Sequence, residues 1–199
     1  NSAATVLKDV IDSKEYSLIN NYADLWSMSK KNCAESILEI QHVAGAGNPS
    51  SPYFEEYAPY ENFSITAQGH GLNQVTDALY NNYEDGDPRR AASISTGYKD
   101  RTGNWIETKF ENKWYDPNYV THGSYYYGNN FIVYRYADVL LMYAEATHNP
   151  VYLNQVRSRV GLPGYGEPGY PSDKYPTFAL AIEHERNVEL ALAFHRWFD

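Results

Sequence analysis

Glu185 and Glu189 are two carboxylates four residues apart, flanked by Ile182 and Leu192. On a helix such side chains lie about 6 Å from each other, close to the spacing of a glycosidase acid and nucleophile. Both would sit on one helix, however, and no groove can place a sugar ring between them. Arg186 and Arg196 are near in sequence, and Arg135 can reach from another helix. Like charges one turn apart need such partners. The stronger reading is a structural ion network of Arg135, Asp138, Glu185, Arg186 and Glu189. His184-Glu185 is followed by Arg186-Asn187-Val188, so the second histidine of a zinc-protease helix is missing. His42, His70, His122, His148 and His195 show no ligand spacing. Gly45-Ala46-Gly47 lacks the third glycine of a dinucleotide loop, and Asp85-Gly86-Asp87-Pro88 is too short for a calcium loop. Cys33 is the single cysteine, so it has no disulfide partner within the chain. These patterns lead to no enzyme, no cofactor and no metal site.

Aromatic content, at 16% with 20 tyrosines and 4 tryptophans, is the unusual feature of the composition. Trp105, Trp114 and Tyr115 stand among Asn104, Glu107, Lys109, Asp116 and Asn118. A flat aromatic face edged with amide, amine and carboxylate groups suits a sugar: the C–H face of the ring packs on the aromatic and the hydroxyls meet the polar groups. The candidate glycan-binding residues are therefore Trp105, Trp114, Tyr115, Asp116 and Asn118. The competing reading has the same rings pinning a long loop to the helices. It balances the first for Trp114 and is favoured for Tyr125, Tyr126 and Tyr127. A net charge of −9 argues against a nucleic-acid partner and against docking on an acidic membrane surface. No apolar run reaches the length of a membrane span, and no signal segment opens the chain.

The elements that must hold these residues read as mainly α. Ala3, Val6, Leu7, Val10 and Ile11 repeat with helical spacing behind Ser2. A short helix runs through Tyr22, Leu25, Trp26 and Met28, and Glu35 to Val43 reads as extended. Periodicity then vanishes through Gly71. Val75, Leu79 and Tyr80 suggest a short helix ended by the turn from Asp85 to Arg90. Residues 91–130 read as strands and loops, with alternation from Trp105 to Phe110. The most apolar helix is expected over Tyr134–Ala146, with Arg135 and Asp138 placed for an i, i+3 pair. Asn149-Pro150 opens the next helix and Gly161 stops it. Thr177 caps a last helix running through Phe194 with no stop signal, so it reads as cut. The organisation expected is a helical scaffold over 1–43, an irregular insertion over 44–130, and helical scaffold again over 131–199. No repeat of fixed period is visible.

These residues resemble a known family. Arg135-Tyr136-Ala137-Asp138-Val139-Leu140-Leu141-Met142-Tyr143-Ala144-Glu145-Ala146 is similar to a signature of the SusD/RagB nutrient-binding lipoproteins. Leu153 to Pro163 resembles that family's next helix and its stop, and Glu185 to Ala191 with His195 to Asp199 its third block. Asp87-Pro88-Arg89 and Glu35 to Gln41 fit weaker upstream blocks. The resemblance implies TPR-like helical pairs in a single domain, forming the C-terminal part of a longer protein. It also implies a lipoprotein on the face of a Bacteroidetes-type outer membrane, held by an N-terminal lipid this chain does not carry. Such a protein binds a glycan without cutting it and delivers it to a SusC-like TonB-dependent transporter. The link from Ala146 to Val151 is shorter than the family's, so residues are expected to be missing there. The alternative to a glycan binder is a helical-repeat scaffold for protein interactions. A glycoside hydrolase using Glu185 and Glu189 is a third reading.

Overall fold

The computed structural model describes residues 2–60, 69–116 and 126–195. Asn118, His122, Tyr125, Arg196 and the block from Trp197 to Asp199 lie outside them. Helix is the main element. Helix α1 (Ser2–Ser13) is followed by a 3-10 turn (Tyr22–Trp26), strand β1 (Ser36–Ile40) and the short helices α2 (Tyr53–Tyr57), α3 (Asp77–Asn82) and α4 (Pro88–Ser93). Strands β2 (Ile94–Lys99), β3 (Trp105–Glu111) and β4 (Phe131–Arg135) come next. Helices α5 (Tyr136–Thr147), α6 (Pro150–Arg159) and α7 (Phe178–Glu189) complete the order.

Helix α5 lies at the centre, packed against α1, α6 and α7. Ala137, Leu140, Leu141 and Ala144 of α5 meet Leu153 and Val156 of α6 and Ala181 and Ile182 of α7. Small alanines at the crossings let the helices approach closely, and the leucines fill the space between them. Asn149 caps α6 by accepting from the Val151 amide at 3.1 Å, and Thr177 caps α7 by accepting from Leu180. The chain passes from α5 to α6 through His148 and Asn149 alone, with His148 in the left-handed conformation that closes a helix.

Three expectations are corrected. Tyr134 and Arg135 are not helical. They end strand β4, which pairs antiparallel with β1 so that Ser36 faces Arg135 and Leu38 faces Tyr134. Pairing with a strand a hundred residues upstream overrides the helical spacing, and Tyr134 stands in solvent. The stretch from Asp85 to Arg90 is more than a turn: Asp87 accepts from the Arg89 amide at 2.9 Å and Pro88 opens α4, a regular N-terminal signature. Helix α7 ends at Glu189 and does not continue to Phe194, because distant side chains take the carbonyls at and just past its end. Tyr22 donates to the Glu189 carbonyl at 3.0 Å, the Arg135 guanidinium donates to the same oxygen, and the Lys113 ammonium donates to the Ala191 carbonyl. Cations at a helix C-terminus satisfy orphan carbonyls and complement the dipole. The segment read as irregular, 44–130, contains α2, α3, α4 and the antiparallel β2–β3 hairpin.

Candidate functional site

The two carboxylates of α7 are fully buried. Glu185 accepts from Arg89 at 2.5 Å and from Arg157 at 2.8 Å. Glu189 accepts from Arg89 at 2.8 Å, from Arg159 at 2.5 Å and from Arg135. Arg135 and Arg159 also share Glu35 of the segment before β1, at 2.9 and 3.1 Å. Asp87 neutralises the remaining edge of Arg89. Burial alone would raise the Glu189 pKa, but Arg159, Arg135 and Arg89 hold it well below the usual carboxylate range. A carboxylate so held is neither a proton donor nor an accessible nucleophile, which removes the hydrolase reading of this pair. Arg135 and Asp138, expected to pair with each other, take other partners. Arg135 turns to Glu35 and Glu189, and Asp138 accepts from Arg186 at 2.9 Å.

The candidate sugar-binding residues divide between two places. Trp105 opens β3 at the tip of the hairpin and is 58% exposed. The strand rises about 3.3 Å per residue, so Trp105 stands on the order of 20 Å from Glu111 at the hairpin's base. Its indole crosses Gly97 of β2, where an added Cβ would lie 2.5 Å from the ring. Gly97 thereby lets the ring lie flat across the strand pair. The turn beyond is tied by Asp100, which accepts from the Thr102 and Asn104 amides at 2.9 and 2.8 Å.

Trp114, Tyr115 and Asp116 follow the base of the hairpin. Trp114 is only 2% exposed and Asp116 is fully buried, so neither presents a surface to a ligand. The Trp114 ring packs on Tyr53 at 5.0 Å, nearly parallel to Phe131 at 5.9 Å and edge-on to Trp26 at 6.0 Å. Its Nε1 donates to Glu111 at 2.6 Å. Here the pinning role outweighs the binding one, because an indole buries a large area once its single N–H has an acceptor. Tyr115 is 43% exposed and sets its edge against Phe54 at 5.3 Å. Tyr127 is core, donating to Glu55 at 2.5 Å, while Tyr126 stays partly exposed. Burial raises the Glu111 carboxyl to about 8, offset in part by Lys113 and by the Trp114 hydrogen bond. Lys113 is itself depressed by burial and lies 4.2 Å over the Trp26 ring.

The signature helix, the buried Glu–Arg block of α7 and the Asp87-Pro88-Arg89 cap now stand in one structure. A model of the SusD family matches residues 76–199. The chain belongs to the SusD family. No curated protein matches it. Among solved SusD-type structures, a laminarin-binding SusD-like protein is 30% identical, with a TM-score of 0.75 over 98% of this chain and 49% of its own. Surface glycan-binding protein A from Bacteroides thetaiotaomicron is 25% identical, with a TM-score of 0.77 over 98% of this chain and 49% of that one. A SusD superfamily protein from Parabacteroides distasonis, 24% identical, shares the fold with a TM-score of 0.79 over 98% of this chain and 45% of its own. The chain thus spans about half the length of the SusD structures it matches.

Several network residues were not singled out in the sequence: Arg89, Arg157, Arg159 and Glu35. Arg89 carried a local signal, since a capped Pro at the first helical position fixes a helix and so the direction of its next side chain. Arg157 and Arg159 lay inside the Leu153–Pro163 family block, but nothing local pointed to their partners, which lie 28 and 30 residues away on α7.

Proposed function

We propose that this SusD-family chain is part of a surface lipoprotein that captures an oligosaccharide or polysaccharide and hands it to a SusC-like TonB-dependent transporter. The observation that carries the reading is the likeness, over nearly the whole chain, to a laminarin-binding member of the same family. The relatives are named for binding glycans and not for cutting them, in line with a non-enzymatic role. The exposed rings of Trp105 and Tyr115 supply flat faces for sugar, with Asn118 a proposed polar contact. Location at the cell outer membrane, through a lipid on the full-length protein, follows from the same reading.

Calorimetric titration of the full-length protein with laminarin and other neutral polysaccharides tests this. Trp105→Ala is expected to weaken binding roughly tenfold, given about 1–2 kcal/mol for a lost aromatic platform. Unchanged affinity would remove Trp105 from the site, and no heat with any glycan would defeat the proposal. A second reading, a protein-interaction scaffold, draws on Leu38, Ile40 and Tyr134, which expose apolar surface on the β1–β4 pair. Recovery of a soluble protein partner without a transporter would favour it.

A further inference from the structure

Away from the hairpin tip, the side of α3 that faces α7 borders a cleft of about 400 Å³. Its walls are the end of α3 with the turn after it, Arg90 of α4, and the Gly- and Pro-rich loop from Leu162 to Tyr175. A second recess of about 320 Å³ runs along α7 past Leu180, His184 and Asn187. The two share Asn82, Lys174 and Tyr175 in their linings. Their volumes fall at the lower end of the range for small-ligand sites.

The polar groups here are held in place by one another. The Tyr175 hydroxyl donates to the side-chain Oδ1 of Asn82 at 3.1 Å, and Asn82 Nδ2 donates to Asn187 Oδ1 at 2.8 Å. The Tyr175 ring is stacked on His184, centroids 3.9 Å apart and 15° from parallel. His184 in turn meets Glu84 at 3.2 Å, and Glu84 is bridged to Arg157 at 2.7 Å. The cleft is therefore anchored to the buried arginine network, and its side chains are oriented before any ligand arrives.

We propose that this cleft is a binding site for a neutral sugar unit, separate from the exposed rings of Trp105 and Tyr115. Glu84 is already paired with Arg157, so the charges left in the lining are Asp85, Arg90 and Lys174, beside the uncharged Asn81, Asn82 and Tyr175. Donors and acceptors together in one lining suit hydroxyls, which both give and take hydrogen bonds. Asn81 adds an amide able to give and take hydrogen bonds. Tyr175 adds an aromatic surface braced from behind by His184. The site takes the same ligand class as the proposed function, and rests on that reading for the class, but it uses none of the same residues.

Hydrogen–deuterium exchange on the full-length protein tests the assignment, with laminarihexaose, maltohexaose, cellohexaose, xylohexaose and mannohexaose as neutral probes and an oligogalacturonate as the charged one. At least one neutral hexasaccharide is expected to slow exchange in residues 81–90 and 162–175. Tyr175→Ala should weaken that protection roughly tenfold, and Asn81→Ala, at an exposed position, roughly threefold, as expected for one lost hydrogen bond. Trp105→Ala should leave it unchanged. Protection confined to the β2–β3 hairpin would overturn this inference while sustaining the proposed function. Protection of neither region would overturn this inference, and absence of binding heat with every glycan would overturn the proposed function as well. A stronger response to oligogalacturonate in the cleft would overturn the neutral class.

Discussion

Arg89 shows what a single buried side chain does in this protein. It is fully enclosed, donates to Asp87, Glu185 and Glu189, and joins α4 to α7. Removing one partner of such a group leaves the others charged and unpaired, so Arg89→Ala should cost about 3–5 kcal/mol in urea unfolding. A loss below about 1 kcal/mol, the size of an exposed pair, would contradict the network. Two carboxylates should respond to pH in opposite directions. Burial opposes ionisation of Glu84, but hydrogen bonds from His184 and Arg157, and their charge, hold its pKa at about 2, below the ordinary glutamate value of 4.5. Its stabilisation is present above the unfolded value and is lost as pH falls from 4.5 toward 2. The wild-type melting temperature should therefore drop on acidification below pH 5, and less steeply in Glu84→Gln. Glu111 is raised to about 8, so it keeps its proton in the fold while the unfolded chain releases it above 4.5. It then costs stability as pH rises from 4.5 to about 8. Glu111→Gln keeps an acceptor for Trp114 and should raise the melting temperature more at pH 8 than at pH 5. An equal effect at both would refute the assignment.

At the level of elements, the hairpin and the end of α7 depend on contacts no local pattern announces. Gly97→Ala would drive a methyl group against the Trp105 indole and the Ile106 carbonyl. It should destabilise by about 1–3 kcal/mol and alter tryptophan fluorescence. Tyr22→Phe removes a donor from the last carbonyl of α7 and should cost about 1 kcal/mol by thermal unfolding. Elements whose signals are local were readable from the residues: α1 from its apolar spacing, α6 from Asn149-Pro150 and Gly161, α7 from Thr177. The strand at Tyr134-Arg135 was not, because its partner is Ser36 to Leu38 and only pairing decides between strand and helix there. The stop of α7 was hidden for the same reason, its capping groups being Tyr22, Lys113 and Arg135. Among the candidate site residues, Trp105 and Tyr115 were distinguishable from Trp114 only by burial. The sequence around all of them is equally rich in polar neighbours. Packing against Tyr53 and Phe131, far apart in the chain, separates them.

On the scale of the whole molecule, the arginine network ties the segment before β1, α4, the end of β4, α6 and α7 to one another. Groups shared so widely should make unfolding a single transition, with far-UV circular dichroism and tryptophan fluorescence giving one midpoint. Separate midpoints would mean that the network does not unite these elements. The contacts described at the hairpin tip are local ones. Its turn is closed by Asp100 within its own residues, and Trp105 rests on Gly97 of the neighbouring strand. A lineage can therefore rewrite the tip, one substitution after another, without loosening the joints beneath. On the proposed function, such changes at the tip would alter which sugar is held on an unchanged chassis.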